Sequence, residues 1–135
     1  MNMTNIERVC QFLDEAKTYY LATAEGDQPR VRPFGTALVY EGRLYIQTGK
    51  AKNVSKQLSA NPKAEICAFM DRKWLRISGK LVNDDSRDVK VAMLEKMPSL
   101  ARMYNPDDGN MQMLYFEDAT ATFCSFSDAP ETVTF

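Results

Sequence analysis

Three short polar turns constrain this chain more than any other feature. Glu25-Gly26-Asp27, Tyr40-Glu41-Gly42 and Asp71-Arg72-Lys73 each interrupt a run in which apolar and polar residues alternate. Turns this tight join antiparallel neighbours, because a parallel crossover needs a dozen residues or more. The runs they separate, 19–24, 28–39, 43–47, 64–70 and 74–82, therefore read as strands, and the first three as an antiparallel meander. Pro29 and Pro33 fall inside the second run. Proline cannot donate to a ladder, so that strand is an edge or is bulged and sharply bent. With Arg30 and Arg32 on it and Gly35 allowing close approach, it offers a ligand a stretch of backbone to lie against.

Helical signals punctuate the strands. Thr4-Asn5-Ile6-Glu7 is a capping box for a helix reaching about Lys17, with Ile6, Val9, Cys10, Leu13 and Ala16 as its apolar stripe. Asp84-Asp85-Ser86 opens a second, with Val89, Met93 and Leu94 inward and Pro98 ending it; residues 99–104 read as one further turn. Residues 105–110 are loop. Residues 113–116 and 119–126 read as two strands and 131–135 as a last one. The methionines at 93, 97, 103, 111 and 113 fill a core or interface gap or line an adaptable apolar surface. Seven or eight strands in one domain, 1–135, predict a mainly β fold: a small antiparallel barrel with helices on its rim.

Composition removes mechanisms. The 135 residues carry a net charge of −1 with acids and bases interspersed, so neither nucleic acid nor an anionic membrane is indicated. No apolar run is long enough for a membrane span and the first residues lack a signal-peptide core, so a cytoplasmic location is expected. With no histidine and three scattered cysteines, Cys10, Cys67 and Cys124, no metal site is expected. Histidine-based triads and acid–base chemistry are excluded. All three cysteines sit among apolar residues and read as small core side chains.

One stretch does suggest chemistry. Residues 43–62, RLYIQTGKAKNVSKQLSANP, read as a half-buried strand with Leu44 and Ile46 on one face, a basic turn, and a short helix stopped at Asn61-Pro62. Asn53 is the expected cap, and Val54, Leu58 and Ala51 the inward positions. A strand ending in Thr48-Gly49-Lys50 and opening onto a helix places a hydroxyl, free N–H groups and ammonium groups at one point, which suits a phosphate. The spacing is not that of a nucleotide-hydrolysing P-loop, and a solvated lysine-rich turn is the competing reading. Trp74, at the start of a strand beside a charged turn, is core, a surface clasp or a wall for a planar ligand.

Taken in order, G-D-Q-P-R-V-R-P-F-G (26–35), G-R-L-Y-I-Q-T-G-K-A-K-N-V-S-K-Q-L-S-A-N-P (42–62), W-L-R-I-S-G-K-L (74–81) and the closing A-T-A-T-F-C-S-F-S-D-A-P-E-T-V-T-F resemble the pyridoxamine 5′-phosphate oxidase-like, FMN-binding split-barrel family. The resemblance implies a six-stranded antiparallel Greek-key split barrel with flanking helices. It also implies a homodimer with FMN in clefts between subunits, and an oxidoreductase acting on a small molecule. Carried over by position, Arg32 and the backbone of Pro33, Phe34 and Gly35 would lie along the flavin. Gln47 and Thr48 would sit near flavin and phosphate, Lys50, Lys52 and Asn53 would hold the phosphate, and Trp74 would reach the flavin of the partner subunit. Many relatives have a basic residue where Asn53 stands. The chain also lacks the C-terminal Arg- and His-containing segment of true pyridoxamine 5′-phosphate oxidases, so pyridoxal phosphate synthesis is not expected. Other members of the fold use a deazaflavin or haem, the latter disfavoured here without histidine, and a non-enzymatic flavin-binding or stress-associated role is the alternative to catalysis. Tyr19, Tyr20 and Arg30 could line a substrate side, but no side chain presents itself as an essential acid or base.

Overall fold

A computed structural model describes residues 3–135; Met1 and Asn2 lie outside them. The chain runs α1 (Asn5–Ala16), β1 (Tyr19–Glu25), β2 (Gln28–Phe34), β3 (Leu38–Tyr40), β4 (Arg43–Gly49), α2 (Asn53–Ala60), β5 (Lys63–Met70), β6 (Lys73–Asp84), α3 (Arg87–Lys96), a 3-10 turn (Pro98–Arg102), β7 (Met111–Ser125) and β8 (Glu131–Thr134). All pairings are antiparallel, in the order β2-β1-β5-β6-β7-β4-β3, with β8 added to β7.

This order dictates the shape. Laid flat, β2 and β3 would lie about 29 Å apart at the usual spacing between strands. Yet only Gly35-Thr36-Ala37 separates them in sequence, and a connection that short spans at most about 14 Å. The sheet must therefore curl until its two ends meet. They meet without pairing, which leaves a barrel with a split along one side.

The six strands implied by the resemblance are eight among the described residues, within the seven or eight read from the sequence pattern. The predicted run 28–39 is broken at Gly35, so β2 and β3 are two halves on opposite lips of the split, and β8 is an extra edge strand outside the closed path. The predicted meander is accordingly two hairpins, β1–β2 and β3–β4, whose other neighbours come from distant sequence. Conversely, the two strands expected at 113–126 are one long strand, β7. A bulge opposite Gly79, with Asp118 at φ 54°, bends that strand where the pattern falters instead of ending it.

Two apolar clusters result. Leu21, Leu44, Ile46, Ile66, Ile77 and Leu114 fill the barrel, closed at its ends by Val9 and Leu13 of α1 and by Val54 and Leu58 of α2. Tyr45, Met93, Met111 and Met113 form a second cluster beneath α3 and the 3-10 turn. β4 is thus buried on both faces, not one, because α3 covers the side predicted to meet solvent. Met103 stays exposed. Thr4 Oγ1 accepts from Glu7 N–H and caps α1 as its sequence predicts. Asn53 does not cap α2: Lys52 holds that position without a side-chain bond, and Ala51 is exposed. Of the cysteines only Cys10 is buried; Cys67 is exposed on the outside of β5 and Cys124 is half-buried. No helix among the described residues is long and apolar enough to cross a membrane.

Candidate functional site

The split between β2 and the β4–α2 junction is where polar side chains gather. Pairing with β1 runs the whole length of β2, so the N–H groups missing at Pro29 and Pro33 fall on its open side. Arg32, opposite Leu21, leans into the split. Its guanidinium donates to Leu21 O (3.1 Å), Thr23 Oγ1 (2.8 Å) and Gln57 Oε1 (2.6 Å). Thr23 Oγ1 in turn donates to Gln57 Oε1 at 2.6 Å. Arg30, one step along the same side of β2, grips Glu25 Oε1 at 2.8 and 3.2 Å. Arg32 has no carboxylate partner among the described residues. Burial, with Arg30's charge as the lesser cause, lowers its affinity for its proton. A cation partly desolvated without a counter-charge favours an anionic partner.

Facing it is the start of α2. Lys52 stands at the cap, and the first-turn N–H groups of Asn53 and Val54, which a helix cannot satisfy internally, belong to residues lining the same space. A cavity of about 520 Å³ lies between them, walled by Glu25, Arg30, Arg32, Lys52, Asn53 and Gln57 among others. At Lys52 it adjoins a second cavity of about 230 Å³. There Pro33, Phe34, Gly35 and Thr36 line one side, Gln47 and Thr48 the floor, and Leu100, Met103 and Tyr104 the far wall. Thr36 fastens this floor: its Oγ1 accepts from Gln47 N–H at 2.9 Å and donates to Gln47 O at 3.3 Å. Thr48 Oγ1 is buried with no hydrogen-bond partner among the described residues. Gly49, just beyond, is tightly enclosed: a Cβ there would lie 3.0 Å from Tyr104 Oη and Asn110 Nδ2, side-chain atoms that would have to shift.

Eight of the residues singled out in the sequence line these two cavities: Arg32, Pro33, Phe34, Gly35, Gln47, Thr48, Lys52 and Asn53. Two do not. Lys50 turns away to Asp85, 3.1 Å distant, and lines a separate cavity against β6 and β7; its ammonium holds the Asp85 carboxyl below the usual range. Trp74 lies at the far hairpin, its ring 5.1 Å from that of Phe126. Gln57, Thr23 and Thr36 were not foreseen. The signal for Gln57 was available: it lies between Val54 and Leu58 on the apolar stripe of a short helix, where a polar residue needs a buried partner.

The site can hold an anionic group at Arg32 and Lys52 and a flat body along the Pro33–Thr36 backbone. The residues fit FMN, with an uncompensated guanidinium and helix start for its phosphate and an orphaned Thr48 hydroxyl beside the slot.

No curated protein matches the sequence. Among solved structures, a NimC/NimA family protein from Clostridium acetobutylicum is 46% identical, with a TM-score of 0.93 over 96% of this chain and 92% of that one. At the level of fold alone, the General Stress Protein 26 of Bacillus anthracis is similar at 19% identity, TM-score 0.75, over 98% of this chain and all (100%) of that one. So is a pyridoxamine 5′-phosphate oxidase-related, FMN binding protein of Nostoc punctiforme, at 17% identity and TM-score 0.65 over 96% and 92%. The family model described as pyridoxamine 5′-phosphate oxidase matches residues 6–123, which take in β1 to β6, all but the last two residues of β7 and both cavities, and the chain belongs to that family.

Proposed function

We propose that this chain is an FMN-dependent oxidoreductase acting on a small molecule as a cytoplasmic homodimer. The observation that carries the reading is the pair of cavities joined at Lys52, one holding Arg32 without a carboxylate partner among the described residues, the other a slot lined by Pro33 to Thr36, Gln47 and Thr48. Membership of the family and the FMN-binding relative from Nostoc punctiforme support it. Arg32, Lys52 and the first turn of α2 hold the phosphate. The Pro33–Gly35 backbone and Gln47 border the ring, and Leu100, Met103 and Tyr104 keep water from it. The bound flavin supplies hydride or electron transfer, and the protein supplies orientation and electrostatics.

A second subunit completes the slot, which is shallow on one chain. The outside of the sheet offers it an apolar face: Tyr20, Val31 and Phe69 are exposed, with Tyr20 opposite Cys67 and Phe69 opposite Trp74 in register. In this arrangement the partner subunit's Trp74 reaches the flavin.

The visible spectrum of the purified protein and of its released cofactor tests the reading and separates FMN from a deazaflavin. Replacing Lys52 with Ala should weaken FMN binding roughly tenfold to a hundredfold, as expected for a lost charge-assisted bond, with the circular dichroism spectrum unchanged. Retention as tight as the parent's would sink the phosphate assignment. Reduction by NAD(P)H followed by turnover of an acceptor distinguishes an enzyme from a flavin carrier.

A further inference from the structure

Gln57 occupies a peculiar electrostatic position. Its Oε1 accepts from Arg32 at 2.6 Å while its Nε2 donates to Glu25 Oε2 at 3.4 Å. One neutral amide therefore stands between a cation and an anion, its acceptor end toward the first and its donor end toward the second. Glu25 is further held by Arg30 through Oε1. The remaining acceptors on Arg32, Leu21 O and Thr23 Oγ1, are neutral too. The carboxylate that shares Arg32's cavity is thus engaged elsewhere, and the guanidinium is fixed in place without being neutralised.

We propose that Gln57 is a positioning residue that aims Arg32 into the cleft with its charge free for an anionic ligand, and that Arg30 serves the same end by holding Glu25 away. The proposal rests on the FMN reading only for the ligand's identity. It explains why an amide, not a carboxylate, stands at the end of this network. A glutamate at position 57 would fill the same space and pair with Arg32, but it would cancel the charge that makes the cleft a receptor. The charged groups around Gln57 are Glu25 from β1, Arg30 and Arg32 from β2, and Lys52 and Lys56 from α2.

The test uses the full-length apoprotein, with FMN affinity read from quenching of flavin fluorescence and inorganic phosphate binding read from ³¹P line broadening. Gln57→Glu should weaken FMN binding roughly tenfold to a hundredfold at pH 7. The deficit relative to the parent should shrink as pH falls and the new carboxylate takes up a proton, a profile that a merely structural role would not produce. Arg30→Ala should also weaken binding, and adding Glu25→Gln to it should restore affinity to within about twofold of the parent. If Arg30 touched the ligand directly, the second change would rescue nothing. Parental affinity in Gln57→Glu, or no rescue in the double variant, overturns the proposal. So does failure of the parent to bind either probe. A parent that binds phosphate but not FMN, with phosphate lost in Gln57→Glu, sinks the flavin reading and leaves this one standing.

Discussion

A buried hydroxyl without a partner destabilises the fold that contains it, and Thr48 Oγ1 is such a group. Replacing Thr48 with Val keeps the shape and removes the unmet bond. The variant should be as stable as the parent, or more stable by about 1 kcal/mol in denaturant unfolding, while binding FMN less tightly. Opposite signs for stability and affinity would mark the hydroxyl as held for a ligand; a loss in both would mark it as structural. Lys50 shows why single residues are the hardest scale to read from sequence. Lys50 and Lys52 stand in one basic turn, yet Lys52 faces the cleft and Lys50 reaches Asp85, 35 positions away in the chain. Nothing local distinguishes them; the side each takes depends on where β6 ends. Cys67 departs from its expected core position for a related reason: its apolar neighbours Ile66 and Ala68 point inward by alternation while Cys67 points out.

Among the elements, the longest strands are shaped by a defect. Gly79 of β6 faces the bulge in β7, and a Cβ there would come within 3.1 Å of Ala119 Cα and Glu117 O, which are backbone atoms with little freedom to move. Gly79→Ala should therefore cost about 1–3 kcal/mol, read as a lower denaturant midpoint at unchanged slope. The loop before β7 depends on Asp108, whose carboxylate accepts from the N–H groups of Met111 and Asn110 at 2.8 Å and of Asn105 at 3.0 Å. Those bonds, Met111's foremost, hold its pKa below the ordinary aspartate range. A carboxyl depressed in the folded state stabilises above its unfolded value and ceases to do so as pH falls through the folded one. The loop should keep its order at and above about pH 4 and loosen only below, which a carboxyl ¹³C titration of Asp108 would follow. The start of α1 and the ends of α2 and α3 were legible because the Thr4 cap and the prolines at 62 and 98 are local signals, whereas the cap of α2 falls at Lys52 and not at the expected Asn53. The unity of β7 was not, since Asp118 reads as a turn residue and only pairing with β6 carries the strand past it.

For the molecule as a whole, the hairpins could be read from their turns, but the neighbours β1–β5 and β4–β7 could not. Those pairings join segments far apart in sequence, chosen by which closed arrangement buries the most apolar surface, and no window of residues encodes that. The proposed dimer is a prediction at this scale. Phe69→Glu on the exposed face should shift the sedimenting species from dimer to monomer and release FMN together with it; an unchanged mass would move the interface elsewhere. Last comes the seam where β2 and β3 meet unpaired. A ring of strands left open at one joint has a natural place to breathe, and β2, braced by β1 alone, should exchange its amide hydrogens ahead of its neighbours. A guest lodged across that joint acts as a rivet, so filling the cleft should slow exchange along β2 and raise the melting temperature with ligand concentration. The host would then be mechanically whole only while occupied, and depletion of its guest would be felt first as a loosening of the wall.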